Sequence, residues 1–480
     1  MSQAAAPIHF RTNAQHVPLK MPAAVQKATA KFLGTRAALV EALGNDLWQR
    51  LRQAGHDLRL HAITHLDHYL EQAERAVTKA GGHVHWARDA GEANRIVLEI
   101  ARQHHVKKVV KSKSMATEEI GLNHAMEAEG IQIIETDLGE YIVQLLGVGP
   151  AHIVVPAFHL SKEEIAALFR EKLGVDAPAE AEKLTQVART KLREEFLTAD
   201  LGISGGNFLV AETGTIVTVT NEGNGRMCTT IPPIHVAIVG IDKVVPDWES
   251  LTVLLKVLAR SATGQKITCY TQFISGPPRA EAETGPKELH LVLLDNGRSR
   301  ILQSPETRET LLCIRCGACL NICPVFNSVG GYTYGYPISG PTGVLFASQI
   351  LGVKAAGGLP FASTLCGACN DICPVKIPIT EILLHLRRRV VEGDAIEEPV
   401  APSLLRAGAR AGSVALRTPW LYRLGSTMLK WLQTPLKRDG WLPRLPPPLN
   451  RWTMARPFPA FASDFRTWWR TRSREVKGHQ

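Results

Sequence analysis

A chain of 480 residues, 45% of them hydrophobic and 21% charged, holds enough apolar material for sizeable cores, about three domains by the usual length relation. Its net charge of +10 is unevenly placed: residues 401–480 carry fifteen Lys/Arg against three Asp/Glu, so the rest is close to neutral and argues against a nucleic-acid-binding body. No stretch approaches the roughly 18 apolar residues a membrane helix needs, and the first residues contain no apolar signal core, so a soluble protein of a reducing cytoplasm is expected.

Residues 1–60 have a helical, polar pattern, with basic and apolar residues mixed from Val25 to Leu60. His61, His65 and His68 follow at i, i+4 and i+7 and could share a helix face. No carboxylate or cysteine motif completes a metal set there, so a solvated or core-edge stripe is the expectation.

From Gly81 short β-branched runs alternate with helical ones. The pattern predicts strand Val84–Trp86, helix Ala90–His104, strand Lys107–Lys111, helix Thr117–Glu129, strand Ile131–Glu135, helix Leu138–Leu146 and strand Ile153–Val155. That alternation is the mark of an α/β domain with a parallel sheet flanked by helices. Two helices follow, Ser161–Leu173, opened by the capping box Ser161-Lys-Glu-Glu164, and Ala181–Leu197. Asn207–Ala211 and Thr215–Thr220 read as strands about a Glu212-Thr213-Gly214 turn, and Asn221–Gly225 as a loop. His235–Val239 reads as a buried strand; helix 249–260 and strands 267–273 and 288–294 close the domain. Domains are expected at 1–60, 61–300, 301–390 and 391–480.

Seven of the nine cysteines lie in two runs. The first is Cys313-Ile-Arg-Cys316-Gly-Ala-Cys319-Leu-Asn-Ile-Cys323-Pro324, the C-x2-C-x2-C-x3-C-P spacing of bacterial two-cluster iron–sulfur proteins. The second, Ser363-Thr-Leu-Cys366-Gly-Ala-Cys369-Asn-Asp-Ile-Cys373-Pro374, repeats it with serine in the leading place. Three cysteines in such a run wrap one cluster, and the fourth, before proline, ligates the other. Cluster 1 is therefore assigned Cys313, Cys316, Cys319 and Cys373, and is expected to be [4Fe-4S]. Cluster 2 is assigned Cys323, Cys366 and Cys369. It is either [3Fe-4S], or [4Fe-4S] with its fourth iron on Ser363, water or a partner group, and is expected to be the more oxygen-labile. Zinc sites use paired C-x2-C knuckles, which leave the third in-phase cysteine unexplained, and disulfides do not suit a reducing compartment. Gly317 and Gly367 are expected at positive φ, and Arg315 either raises the potential of cluster 1 or is simply a solvated arginine. Cys228 and Cys269 stand apart, each expected as a small buried hydrophobe. No G-x-G-x-x-G follows a strand and no G-x4-G-K-[ST] occurs, so neither a flavin, a nicotinamide nor a nucleotide site is indicated.

The chain resembles the lactate utilisation protein B family, the iron–sulfur subunit of a three-part bacterial L-lactate dehydrogenase complex. The resemblance rests on Gly81-Gly-His-Val-His-Trp86-Ala, Lys111-Ser-Lys-Ser-Met115 through Asn123, Glu212-Thr-Gly-Thr215 with Thr220-Asn-Glu-Gly-Asn224, and both cysteine runs. It implies a domain of the sugar-phosphate-isomerase and CoA-transferase-like class fused to a helical ferredoxin-like two-cluster domain. It also implies electron transfer during oxidation of L-lactate to pyruvate, with two partner subunits. Another 2-hydroxy acid such as glycolate is the alternative substrate.

Lys111 and Lys113 leave a predicted strand toward a predicted helix, where parallel sheets bind ligands and helix ends favour anions. They are candidates for a carboxylate site, or else form an exposed basic turn. Glu212 sits where related transferases place a reactive glutamate, but its turn is favoured as structural. The C-terminal tail is basic and rich in Pro and Trp, with Trp420, Trp431, Trp441, Trp452, Trp468 and Trp469. Its segment Pro419–Gln433 sets Leu421, Leu424, Met428, Trp431 and Leu432 on one helical face, away from Arg423 and Lys430. Docking to a partner subunit is expected first, peripheral contact with the inner face of the membrane near a quinone pool second, and nucleic acid is the third, disfavoured reading.

Overall fold

The alternating runs assemble into a six-stranded, wholly parallel sheet. The computed structural model describes residues 7–18, 20–278, 285–447, 449–454, 456–461, 468–469 and 472. Its strands in the first 400 residues are β1 (His83–Ala87), β2 (Lys108–Lys111), β3 (Gln132–Glu135), β4 (Leu201–Gly205), β5 (Phe208–Val210), β6 (Thr215–Thr220), β7 (Ile234–Gly240), β8 (Val244–Val245), β9 (Tyr270–Ile274) and β10 (Glu288–Leu294). The large sheet runs β1-β10-β7-β4-β2-β3 and every neighbouring pair is parallel. A smaller sheet runs β8-β5-β6-β9, antiparallel at β5–β6 and β6–β9. Met1–Val400 form one compact body and Ala401–Gln480 another.

Strands covered on both faces need mostly apolar residues, and β7 and β10 have them, with Glu288 and His290 as the polar members of β10. The polar exception on β7 is His235, fully buried, whose Nε2 lies 2.7 Å from Ser204 Oγ on β4. The central strand β4 carries no strand signature in the sequence because Gly202 and Gly205 interrupt it. Both are steric necessities: a Cβ at Gly202 would strike the Cys228 carbonyl, and one at Gly205 would strike Ser114 Oγ.

Two expected elements differ. Thr117–Glu129 is two short helices, Met115–Glu119 and Leu122–Ala128, broken at Ile120-Gly121. Ile153–Val155 is not a strand. The N–H groups of Val154 and Val155 donate to His152 Nδ1 at 3.0 and 3.3 Å, and Val154 O accepts from Lys113 Nζ at 2.8 Å. With its backbone groups taken locally, the segment becomes an irregular strap, and the Val154 and His152 side chains lie close over Gly317.

The N-terminal helices Met21–Leu43 and Asn45–Thr64 are not a separate layer. Their Met21, Val25 and Trp48 share one apolar core with Val210 of the small sheet, Leu254, and the cysteine-rich region at Leu312, Phe326 and Phe346. The helix ends at Thr64 and a new one, Leu66–Lys79, begins after His65, so the three histidines do not follow one continuous helix. His61 Nε2 bonds Tyr69 Oη at 2.9 Å instead. Residues beyond 390 turn back onto the same body: Val400 N donates to Val390 O at 3.0 Å, and Val353 N to Glu397 Oε2 at 2.8 Å.

In the second body, helices Ser403–Arg417 and Pro419–Gln433 precede a short antiparallel ribbon, Trp441–Leu442 with Phe458–Pro459. Leu424, Met428, Trp431 and Leu432 are exposed on the second helix, as are Trp420, Trp441, Trp468 and Trp469; the Trp452 side chain lies outside the described residues. No helix of the described residues is long and apolar enough to cross a membrane.

Candidate functional site

The two cysteine runs fold into the same backbone shape. In the first, Arg315 (φ 58°) and Gly317 (φ 75°) are left-handed; in the second, Leu365 (φ 56°) and Gly367 (φ 82°) are. Short helices follow at Ala318–Ile322 and Ala368–Ile372, and each ends on the cysteine that precedes proline, Cys323 or Cys373, in extended conformation. Holding a non-glycine residue left-handed costs energy that the surroundings must supply. Both loops spend it at the same place, two residues after Cys313 and two after Ser363. Ser363 is therefore the structural counterpart of Cys313.

Cys313, Cys316, Cys319 and Cys373 line one small cavity, closed by Ile314, Leu345, Val375, Ile377 and Ile379. All nine cysteines are unbridged. Burial pushes the Cys373 thiol up to about 11, and burial with the neighbouring thiols pushes Cys316 and Cys319 well up. Cys316, Cys319 and Cys373, gathered in an apolar pocket, are poorly placed as free thiolates. They suit a cationic iron core, which makes thiolate the favoured form. Backbone donors already point at two of the sulfur atoms, Arg315 N at 3.4 Å from Cys313 Sγ and Ile377 N at 3.4 Å from Cys373 Sγ, and Thr342 Oγ1 lies 3.2 Å from Cys313 Sγ. The donor set fits an iron–sulfur cluster.

Cys323, Cys366 and Cys369 form the second group, close enough to affect one another's ionisation. Cys366 is the exposed member of the seven, and its thiol is drawn down by the Ala368 N–H and then by Thr364. Ser363 Oγ accepts from Leu365 N at 3.1 Å, within its own turn.

The surroundings of the two groups differ in charge. Arg52 Nε donates to Cys373 O at 2.9 Å and its Nη2 to Asn370 O at 3.3 Å; Arg36 Nη2 donates to Ile372 O at 3.2 Å. Arg59, only 1% exposed, donates to Leu311 O at 2.8 Å, Val244 O at 2.9 Å and Asp242 O. Lys243 Nζ donates to Cys313 O at 2.9 Å and pairs with Asp242 at 2.8 Å. Burial opposes each arginine's charge; Cys373 then favours charged Arg52, and Asp242 and Cys313 favour charged Arg59. Near the second group the comparable cation among the described residues is Arg387, which donates to Ser363 O at 2.9 Å. None of the three N-terminal arginines carried a motif. The one signal available was the mixing of basic with apolar residues along Val25–Leu60.

A larger cavity, about 390 Å³, opens at the carboxyl ends of β2, β4 and β7, where parallel sheets receive ligands. Ser112–Ser114, Gly205–Asn207 and Thr218–Glu222 line it from the sheets, with Asp137 at the head of helix Leu138–Leu146. Its far wall is Ile314 and Arg315, the loop that carries Cys313 and Cys316.

The LUD domain family matches residues 70–294, and the 4Fe-4S dicluster domain family matches residues 309–377. Over its length the chain is 44% identical to lactate utilization protein B of Shouchella clausii (95% of this chain, 94% of the relative). It is 43% identical to that of Bacillus licheniformis over the same shares, and 44% identical to that of Macrococcus caseolyticus (94% of each). The chain belongs to the lactate utilization protein B family. Its α/β body with a parallel sheet is the family's LUD domain, and the paired loops are its dicluster domain.

Against this family background the remaining candidates separate. Lys111 does not line the cavity. It is fully buried, with Nζ 2.6 Å from Glu135 Oε1, 2.9 Å from Glu118 Oε1 and 3.0 Å from Thr117 Oγ1. Lys113 does line it, 25% exposed, 3.3 Å from Asp137 Oδ2. Glu212 is exposed in its turn and outside the cavity; the adjoining Gly214 packs on the backbone of Val77. Cys228 is buried as expected, 3.2 Å from Thr136 Oγ1, whereas Cys269 is exposed, not buried, because the edge strand β9 begins just after it.

Proposed function

We propose that this chain is the iron–sulfur electron-transfer subunit of a complex that oxidises L-lactate to pyruvate. The carrying observation is the pair of matching cysteine loops on one apolar core, one of them forming a wall of the sheet-end cavity. Cys313, Cys316, Cys319 and Cys373 hold cluster 1; Cys323, Cys366 and Cys369 hold cluster 2, with Ser363 beside the vacant corner. Bound clusters supply one-electron acceptance and release. The protein's own part is to exclude water from the first set with Ile314, Leu345 and Val375, and to offset its negative charge with Arg52, Arg59 and Lys243. The second set, reaching the surface at Cys366, faces outward to a redox partner. Two further subunits complete the complex.

The test is anaerobic. The chain is purified from its host with whatever co-purifies, and L-lactate is added while cluster absorbance and EPR are followed. Lactate-dependent bleaching that requires the co-purified subunits supports the proposal. Iron-free or zinc-filled protein, or clusters indifferent to lactate in the complete assembly, would falsify it. Glycolate in place of lactate decides the substrate.

A further inference from the structure

We propose that the sheet-end cavity is itself the binding site for the small 2-hydroxy carboxylate, with Lys113 and Arg315 taking the carboxylate and Glu222 accepting the hydrogen bond of the hydroxyl. The inference rests on the function proposed above and places its substrate on this chain rather than on a partner subunit.

The cations at the cavity can be sorted by what their donors already do. Arg298 is spent: Nε is 2.6 Å from Asp242 Oδ1, and Nη1 and Nη2 lie 2.9 and 3.1 Å from the two Glu119 oxygens. Lys243 is held between Asp242 and the Cys313 carbonyl. Two cations keep capacity. The ammonium of Lys113 has three donors, and Val154 O and Asp137 engage two. The guanidinium of Arg315 lies 3.6 Å over the Phe346 ring, and its buried Nη1 has no hydrogen-bond partner among the described residues. A buried donor left unpaired is costly, and the carboxylate is the group that pairs best with it.

The acceptors fit the other end of such a ligand. Glu222 is half-buried in the loop after β6, with one oxygen taken by Leu138 N at 3.0 Å. Burial pushes its pKa up to about 7, and Asp137 adds to the rise; Lys113 pulls the other way. Asp137 and Lys113 are the charged groups facing it, so Glu222 changes charge close to neutrality. Asn224 Oδ1 likewise has no hydrogen-bond partner among the described residues, on a residue only 6% exposed in the same wall. A phosphorylated ligand suits these walls poorly, since Asp137, Glu119 and Glu222 share them. A monocarboxylate with a neighbouring hydroxyl uses both kinds of free group, and bound there it lies beside the loop of Cys313 and Cys316.

The experiment uses the full chain with its clusters assembled anaerobically and isothermal titration with L-lactate, propanoate and inorganic phosphate between about pH 6 and 8. Lactate should bind more tightly than propanoate, which lacks the hydroxyl. The lactate-to-propanoate preference should rise roughly tenfold across that range as Glu222 ionises. Glu222→Gln should make the preference independent of pH. Lys113→Met and Arg315→Gln, each checked for unchanged iron content, should weaken both acids by about tenfold or more. Equal binding of lactate and propanoate at every pH, displacement of lactate by phosphate, or full affinity in both cation variants overturns the inference. If the isolated chain binds no lactate while the assembled complex still reduces its clusters with it, this inference fails and the proposed function survives.

Discussion

Arg52 Nε donates to the carbonyl oxygen of Cys373 at 2.9 Å, joining an N-terminal helix to the last cysteine of the chain. The bond explains why a polar-looking helix packs where it does, and it sets a buried positive charge beside the first cysteine set. Positive charge stabilises the more negative, reduced form of a cluster. We expect Arg52→Gln to lower the potential of cluster 1 by an amount on the order of tens of millivolts, with little change at cluster 2. Arg387→Gln should do the reverse. An EPR-monitored redox titration reads both; equal shifts at both clusters would remove the charge asymmetry as the cause.

Ser363 holds the place of Cys313 in a loop of the same backbone shape, so the fourth sulfur of the second set is missing by composition and not by geometry. Oxygen is a harder, less favoured ligand for this iron. Ser363→Cys should complete the set and slow loss of iron in air from the second cluster. Iron counting and the EPR signal of a three-iron form, before and after timed exposure, check this. Unchanged loss would mean that exposure at Cys366, and not the missing thiolate, governs lability.

The cysteine spacing told where two clusters should sit, because ligand geometry leaves a rigid imprint on local sequence. Runs alternating with helical stretches likewise disclosed β1, β2, β3, β7 and β10, each with apolar residues within it. β4 stayed hidden because the demand for Gly202 and Gly205 comes from Cys228 and Ser114, remote in the chain. The strap at 151–156 stayed hidden for a related reason: Ile153-Val154-Val155 has strand propensity, but His152 captures its N–H groups. The cavity could be placed only through the neighbourhood of Lys113, since its walls come from seven or more segments that sequence order does not bring together. Lys111 and Lys113 look equivalent as letters. Within a strand, residues two apart share a face; the two lysines differ because the strand ends at Lys111, and Lys113 belongs to the turn that follows and lines the cavity.

That difference has an energetic consequence. Removing Lys111 leaves Glu135 and Glu118 without their cation, and Glu135 is 2% exposed. Breaking such a buried pair costs roughly 3–5 kcal/mol, lessened where the orphaned carboxyl takes up a proton. Lys111→Met should therefore sharply lower the urea midpoint of the chain, and Lys111→Met with Glu135→Gln should recover part of the loss. Lys113→Met should cost less, since Lys113 is 25% exposed whereas Lys111 is fully buried. Comparable losses for the two single variants would contradict the contrast.

His235 supplies a dependence on pH. Burial, with a smaller contribution from His290, pushes its pKa down to about 3, below the usual value near 6.5. The unfolded chain thus binds a proton at this site that the folded chain refuses between those limits. Stability is complete above about pH 6.5 and falls as pH drops toward the folded value, by roughly 2 kcal/mol at pH 5. His235→Gln, which cannot titrate, should flatten the part of the acid slope due to one proton. Urea unfolding at several pH values between about 5 and 7 measures that slope, and an identical slope in the variant would assign the acid sensitivity elsewhere.

The second body presents an amphipathic helix whose apolar members Leu424, Met428, Trp431 and Leu432 are all exposed, with the basic Arg423 and Lys430 on another face. Exposed aromatic and aliphatic side chains at this density mark an interaction surface. A protein partner and an anionic bilayer differ in what they ask of it. A bilayer needs the net positive charge of residues 401–480 and releases the protein in salt; a protein groove needs the side chains themselves. We expect Trp431→Ala with Leu432→Ala to release the co-purified subunits while iron content stays intact, and flotation with anionic vesicles to be weak for the whole chain at physiological salt. Strong flotation that disappears on removing residues 401–480, with subunit association unaffected, would reverse the order and make the membrane the partner of this surface.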